Sequence, residues 1–289
     1  MNADPNVPYI LTIQCPDGLG VQAAVMGFLA GHQAFITESH SYGDPLTGRF
    51  FMRVVFRAGH PNMPDLETLR SHFQTVATNF GMDWGLHDAT EPPRVLIAVS
   101  RFGHCMNDLL HRWQSGQLGI RIAAVVSNHT EMRGLAEWHG IPYHHLPVTP
   151  DTKPEQERRV LDLVEEQEID LVVLARYMQV LSPEMSAALS GRCINIHHSF
   201  LPSFKGARPY QQAHGRGVKL IGATAHYVTE NLDEGPIIEQ EVVRVDHTHT
   251  GEELVRMGRD VETVVLARAV RWHCERRVFM NDNKTVVFK

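Results

Sequence analysis

From Arg94 onward, short apolar runs alternate with longer amphipathic stretches, and this alternation constrains the fold most strongly. The apolar runs are residues 95–99, 122–126 and 171–175. Runs of this length without charges are typical of parallel strands that are covered on both faces. Helical periodicity appears in the stretches at about 104–114, 131–139 and 154–167. The pattern predicts a Rossmann-like α/β domain with a mostly parallel sheet, which binds ligands beyond the C-terminal ends of its strands.

The N-terminal part of the chain has a different order: strand, helix, strand, strand, helix, strand. The predicted strands are 9–14, 34–42, 49–57 and 83–87, and the predicted helices are 20–30 and 66–80. Glu91-Pro92-Pro93 then breaks the pattern and favours an extended connection. We therefore predict an N-terminal domain over 1–88, a linker over 89–93 and a second domain over 94–289. The second domain ends in a long helix over 251–276 and a hairpin over 277–288.

Charge and cysteine usage exclude several classes of protein. The net charge of -6 argues against a sequence-independent nucleic-acid binder, which needs lysine and arginine to neutralise phosphates. No apolar run approaches the ~20 residues that span a bilayer, and residues 1–8 lack the features of a secretory signal. The four cysteines show no CxxC spacing, which favours buried free thiols in a reducing compartment. We expect a cytoplasmic protein.

Eighteen histidines raise the question of a metal site. The pairs 144–145, 197–198 and 247/249 are suggestive, but no HExxH or Cys/His ligand pattern accompanies them. Adjacent residues on a strand point to opposite faces, so such a pair cannot easily chelate one ion. We expect no metal.

The segment over 193–206, Cys-Ile-Asn-Ile-His-His-Ser-Phe-Leu-Pro-Ser-Phe-Lys-Gly, carries the most chemical information. As a strand, it projects Asn195 and His197 to the same side. An amide can donate to an oxyanion and an imidazole can move protons near neutral pH, so the pair suits acyl transfer. Taken alone, the segment favours a histidine that is satisfied by backbone partners at a strand end. Asp233, in Asp-Glu-Gly-Pro, could orient His197 or could only cap its turn.

Two motifs, in their order and distance along the chain, resemble those of the formyltransferase-fold family that uses 10-formyltetrahydrofolate. They are Asn195-Ile-His-His-Ser-Phe-Leu-Pro and the later His226-Tyr-Val-Thr-Glu-Asn-Leu-Asp-Glu-Gly-Pro. The resemblance implies a catalytic trio at Asn195, His197 and Asp233. Within the family, residues 172–179, 205–210 and 221–229 resemble the deformylases. The Cys15-Pro-Asp-Gly-Leu-Gly and Phe50-Phe-Met-Arg segments resemble their N-terminal ACT domain, a ferredoxin-like β-α-β-β-α-β module.

The resemblance implies hydrolysis of 10-formyltetrahydrofolate to formate and tetrahydrofolate, with no cofactor beyond the folate. Such an activity supplies formate for purine biosynthesis and balances one-carbon pools. The pterin ring would bind near the predicted substrate-binding residues Arg176, Tyr177, Met178, Val180 and Gly235. His198, which would point away from His197 in a regular strand, either positions water or only packs.

An ACT domain implies an amino-acid effector, methionine or glycine, and a homodimer or homotetramer. The effector would bind at the turn after the first strand, through Asp17, Gly18 and Gly20, where glycines permit close backbone approach. The alternative is that this domain only mediates oligomerisation.

Three other functions stay open at this stage. A formyltransferase to an amine, such as the glycinamide ribonucleotide enzyme, would hold its phosphate in a Gly/Ser-rich turn, where this chain has bulky Arg101, Phe102, His104 and Met106. Those side chains would fill the acceptor site and leave water as nucleophile. Methionyl-tRNA formyltransferase would need an additional tRNA domain. A non-catalytic amino-acid sensor would not need Asn195, His197 and Asp233.

Overall fold

The chain forms two compact units in the structure, a computed structural model that describes residues 7–203 and 209–289. The first unit comprises the described residues up to Pro92 with Glu275–Asn281 and Val286–Lys289. The second comprises the described residues within Pro93–Cys274 together with Asp282–Thr285. Residues 205–208, the first part of the 205–210 motif, lie outside the described residues.

The first unit has the predicted β-α-β-β-α-β order. Its elements are β1 (Tyr9–Pro16), α1 (Val21–Gly31), β2 (Ala34–Asp44), β3 (Arg49–Ala58), α2 (Leu66–Phe80) and β4 (Asp83–Asp88). The sheet order is β2-β3-β1-β4 and every pairing is antiparallel. Asp65 caps α2 by accepting a hydrogen bond from the Thr68 amide at 3.0 Å. Val25 and Leu29 of α1 and Phe73 of α2 join the buried strand residues in one core.

The second unit is the predicted doubly wound domain. Its elements are β5 (Arg94–Val99), α3 (His104–Gln114), β6 (Arg121–Ser127), α4 (Arg133–Trp138), β7 (Tyr143–His145), α5 (Lys153–Glu166), β8 (Leu171–Leu174), α6 (Pro183–Ala188), β9 (Cys193–His197), α7 (Pro209–Gly215), β10 (Leu220–Tyr227), β11 (Ile237–Arg244) and α8 (Gly251–Cys274). The sheet order is β11-β10-β9-β8-β5-β6-β7. Strands β5 to β9 pair in parallel, whereas β10 and β11 extend the sheet antiparallel.

The C-terminal segment differs from the predicted domain boundary. The break between Pro92 and Pro93 falls inside the predicted linker, but most of the segment after Cys274 packs with the first unit. Strands β12 (Val278–Asn281) and β13 (Lys284–Val287) form the predicted hairpin. Phe279 lies against Phe51 of β3, with 6.0 Å between ring centroids. Local periodicity predicts a hairpin but does not indicate which core its apolar residues will join.

The four cysteines form no disulfide among the described residues, and three of them are buried. All four are free thiols, and Cys15, Cys105 and Cys193 are buried. Burial raises the pKa of each of these three thiols, which keeps them protonated. Among the described helices, none is both long and apolar enough to cross a membrane.

Candidate active site

A cavity of about 690 Å³ opens beyond the C-terminal ends of β8 and β9, the edge at which the fold class predicts a ligand. Most of the predicted site residues line it: Arg176, Tyr177, Met178, Val180, Asn195, His197, His198 and Asp233. Three segments that are separate in the sequence therefore meet in one cavity.

His197 and Asp233 are in direct contact inside this cavity. His197 Nδ1 lies 3.1 Å from Asp233 Oδ1, and their side chains are only 5% and 10% exposed. A carboxylate accepts hydrogen bonds, so Nδ1 carries the proton and Nε2 is the basic nitrogen. This Nε2 is buried and has no hydrogen-bond partner among the described residues. The imidazole thus has an unused proton acceptor at a cavity wall.

Asp233 is kept ionised by its neighbours. Burial alone would raise the pKa of this carboxyl, but the hydrogen bond from His197, with the electrostatic effect of the neighbouring His197 and His226 rings, holds the pKa below its usual value. Its backbone is left-handed, with φ 57°, a conformation that Asp tolerates better than most residues. The loop between β10 and β11 can therefore turn at Asp233 and direct its carboxylate at His197.

Asn195 is oriented by His226, which sequence reasoning quoted in a motif but gave no role. The two residues are cross-strand partners in the β9–β10 pairing. His226 Nδ1 lies 2.8 Å from the Tyr227 carbonyl and donates to it, so its Nε2 accepts from Asn195 Nδ2 at 3.2 Å. Burial is the main reason that the pKa of His226 is lowered, which favours this neutral form. The second hydrogen of the Asn195 amide remains available to a ligand.

The resulting arrangement can activate water at an acyl carbon. A basic imidazole nitrogen, an amide donor and an ionised carboxylate lie together on strands and a loop that are hydrogen-bonded to one another. Such a set provides a general base, an oxyanion donor and a group that orients the base.

Gly235 was predicted to bind substrate, but it does not line the cavity. A Cβ at this position would lie 1.7 Å from the Tyr227 carbonyl oxygen. The chain after Asp233 returns closely along β10, where the Tyr227 amide donates to the Pro236 carbonyl at 2.9 Å. The glycine is therefore needed for backbone packing that holds the Asp233 loop.

The predicted substrate-binding residues after β8 have different environments. The Tyr177 side chain is buried in the core, and its hydroxyl accepts a hydrogen bond from Gln156 at 2.7 Å. Met178 and Val180 are 52% and 55% exposed at the cavity. The Met178 amide donates to Ser100 Oγ at 3.0 Å, which ties this segment to the end of β5.

His198 lines the same cavity as His197, contrary to the prediction for a regular strand. Because β9 ends at His197, the alternation of faces ends there too. The ring of His198 lies 5.3 Å from that of His197 and 6.2 Å from that of Tyr210. Burial, followed by the charge of Arg176, lowers the pKa of His198 to about 4. His198 is therefore neutral at pH 7.

A second buried carboxylate, Glu262 of α8, contacts the cavity. It is 1% exposed and accepts hydrogen bonds from His104 Nε2 at 2.7 Å and from Tyr210 at 2.9 Å. Arg176 Nε lies 3.5 Å away. Burial would raise the pKa of Glu262, but the His104 hydrogen bond and the Arg176 charge hold it below its usual value. Sequence reasoning missed Glu262, since α8 shows only ordinary helical periodicity.

Two of the residues predicted to fill an acceptor site lie elsewhere. Arg101 is exposed and pairs with Glu131 at 3.4 Å, and Met106 is completely buried. Phe102 and His104 do line the cavity. The difference arises because α3 begins at His104, so successive residues of the turn and helix face different directions.

One cluster among the described residues has donor atoms close enough for a metal ion. The donor atoms of His104, Cys105 and Glu262 lie within 4.8 Å of one another. The Arg176 guanidinium beside Glu262 would repel a cation, and burial and the Glu262 charge raise the pKa of the Cys105 thiol. These residues fit a metal ion poorly.

The predicted effector turn lies at the N-terminus of α1. Gly20 has φ 86° immediately before the helix, and the Asp17 amide donates to the Gly48 carbonyl at 2.8 Å. Leu19 is fully exposed in this turn.

Comparisons with known proteins match both units. Residues 93–270 match the model of the formyl transferase family. A formyltetrahydrofolate deformylase from Corynebacterium sp. (strain P-1) is 54% identical over 283 residues, which cover 98% of this chain and 99% of that protein. The chain belongs to the formyltetrahydrofolate deformylase family.

Solved structures separate the deformylase family from its transferase relatives. A deformylase from Burkholderia mallei has a TM-score of 0.94 at 53% identity and covers 98% of this chain and 100% of its own. A glycinamide ribonucleotide transformylase from Symbiobacterium toebii has a TM-score of 0.65 at 30% identity and covers 68% of this chain and 95% of its own. The transferase therefore shares part of this fold, whereas the deformylase match extends over nearly the whole chain.

Proposed function

We propose that this chain hydrolyses 10-formyltetrahydrofolate to formate and tetrahydrofolate. The observation that carries the proposal is the contact of 3.1 Å between His197 and Asp233, which leaves His197 Nε2 as a buried base without a partner among the described residues. Asn195, with its amide fixed by His226, supplies a donor in the same cavity. Family membership supports the same substrate and reaction.

The reaction follows from the position of each group. His197 Nε2 accepts a proton from water while the water oxygen attacks the formyl carbon. The negative charge that develops on the formyl oxygen is stabilised by the free hydrogen of the Asn195 amide. Asp233 stabilises the protonated imidazole, which then holds the proton that N10 requires when the C–N10 bond breaks.

We place the folate on the loops that follow β8 and β10. Met178 and Val180 provide exposed apolar surface there, and the Asp233 loop contributes residues 229–233 to the same cavity. His198 is a candidate for positioning water, since it is neutral and lies beside His197. No metal is needed for this chemistry, because His197 serves as the base and Asn195 as the oxyanion donor. Activity should therefore survive exhaustive treatment with a chelator.

The first unit is proposed to be an ACT-like regulatory domain. Its β-α-β-β-α-β topology supports this assignment, and Asp17, Gly18 and Gly20 form the candidate effector site. We propose methionine or glycine as effector, a homodimer or homotetramer as the assembly, and the cytoplasm as the location. Kinetics titrated with each amino acid test the effector, and flat responses to both would remove them as candidates.

The decisive experiment for the function measures formate release from 10-formyltetrahydrofolate by the purified protein, with and without an amine acceptor. Hydrolysis predicts formate release that does not need the amine. Release of tetrahydrofolate only when the amine is present, with a formylated amine as product, would instead identify a transferase. Binding without turnover in either case would identify a non-catalytic protein.

A further inference from the structure

Two sets of residues line the cavity, and they differ in character. The loops after β8 and β10 contribute exposed side chains such as Met178 and Leu232. The other set lies on α3, α7 and α8, and with Arg176 it forms a cluster that we call the charged wall, defined as His104, Arg176, Tyr210 and Glu262. The charged wall is built from hydrogen bonds between side chains, so its shape is fixed before any ligand arrives.

Arg176 is the most unusual member of the charged wall. Its backbone φ is 64°, in the left-handed region that a long side chain rarely adopts. Residues held in such conformations are concentrated at functional sites. Its side chain is only 10% exposed, although it carries a full charge. Its Nε is buried and has no hydrogen-bond partner among the described residues.

The neighbours of Arg176 hold the guanidinium inside the cavity. Glu262 provides the opposite charge at 3.5 Å, while its carboxylate oxygens accept from His104 and Tyr210. The ring of Phe102 covers the guanidinium, with 5.9 Å from Cζ to the ring centroid. Ring and carboxylate together keep the long side chain from swinging into solvent.

We propose that Arg176, held by Glu262, is a specificity-determining residue that keeps amine acceptors away from the formyl carbon and admits water. This inference rests on the proposed function. In hydrolysis a C–O bond to water forms, the C–N10 bond breaks, N10 gains a proton and formic acid loses one to give formate. In transfer the new bond is C–N, and the attacking amine loses the proton that N10 gains. Only the second path needs room for an acceptor larger than water.

The test measures how the formyl group partitions between water and an added amine. Arg176→Gly opens the charged wall, and glycine accepts the left-handed backbone without strain. The substrate carries an isotope-labelled formyl group, glycinamide is the probe amine, and formate and formylglycinamide are quantified together. One missing methylene in a pocket changes discrimination by about 10–200-fold, so removal of the whole arginine side chain should raise the ratio of transfer to hydrolysis at least about tenfold.

Arg276→Gly is a matched control, because Arg276 also has a left-handed φ, of 57°, and belongs to the first unit. It should leave the ratio at the wild-type value. His104→Ala provides a second opening of the charged wall if Arg176→Gly fails to fold, and it should raise the ratio in the same direction.

The outcomes separate this inference from the proposed function. If the wild-type protein releases no formate, the proposed function itself fails. If it releases formate, and folded Arg176→Gly and His104→Ala both partition as the wild type does, only the role of the charged wall is overturned.

Discussion

At the scale of single residues, His198 links the candidate site to the stability of the fold. Burial and the Arg176 charge lower its pKa from an ordinary value of 6.5 to about 4. Between these pH values the unfolded chain binds a proton at this residue and the folded chain does not. The free energy of unfolding therefore falls as the pH falls through this window.

His198→Asn should reduce this loss, because asparagine does not titrate. The decrease in unfolding free energy between pH 6.5 and pH 4 should be smaller in the variant by up to about 3 kcal/mol. Urea unfolding at a series of pH values measures the difference. Parallel pH profiles for the variant and the wild type would show that His198 is not held neutral by the fold.

Positions set by local periodicity could be predicted, and the pairing of His197 with Asp233 was implied by the family resemblance, whereas partners that neither signal indicates could not be predicted. The alternation along β9 was enough to put Asn195 and His197 on one side. The role of His226 depends on the antiparallel register that pairs it with Asn195, and that register is not encoded in either segment alone. For the same reason Glu262 was not predicted.

At the scale of elements, the order of the strands and helices was predicted well, but some short elements, such as helix α6, were not. The strands and helices of the first unit were predicted in the correct order, and their ends differ by a few residues at most. Helix α6 was missed because its 6 residues contain less than two helical turns, too few to show a periodicity. Its start had a local signal, since Ser182 caps it by accepting from the Met185 amide at 3.1 Å.

At Gly258 of α8, side-chain packing and helix propensity predict opposite effects of an alanine substitution. Alanine normally stabilises a helix relative to glycine by about 0.5–1 kcal/mol. At Gly258, however, a Cβ would lie 2.1 Å from Tyr210 Cζ, and Tyr210 is buried and hydrogen-bonded to Glu262. Gly258→Ala should therefore destabilise the protein by about 1–3 kcal/mol.

Gly27 of α1 is the matched control for this prediction. A Cβ there meets nothing within 4 Å, so Gly27→Ala should stabilise the protein by about 0.5–1 kcal/mol. Chemical denaturation of both variants compares them directly. Stabilisation by both substitutions would mean that Tyr210 moves aside without cost.

At the scale of the whole molecule, the chain returns to its first unit for most of the segment after Cys274. Arg277 of the C-terminal segment donates to Glu38 of β2 at 2.8 Å, and Phe279 and Phe288 pack with Phe51. The family match ends at residue 270, before this segment begins. The C-terminal hairpin is therefore part of the structure that stabilises the first unit.

Phe279→Ala should weaken the first unit, although Phe279 lies beyond residue 270, where the match to the formyl transferase family ends. Removing a buried phenylalanine costs about 3–5 kcal/mol, and the loss should appear as faster hydrogen exchange of the β3 amides. Asn283→Ala, at the exposed tip of the same hairpin, should change stability by no more than about 0.5 kcal/mol. Unchanged β3 protection in Phe279→Ala would show that the hairpin does not support the sheet.

The central claim for the molecule is that one cavity places a base, an oxyanion donor and an orienting carboxylate around the formyl group. The most direct test is the kcat for formate release by Asn195→Ala, measured on folded protein at saturating 10-formyltetrahydrofolate. Loss of one oxyanion donor predicts a kcat lower by about 10²–10³-fold, with KM changed far less. A kcat close to that of the wild type would contradict the assignment of this site.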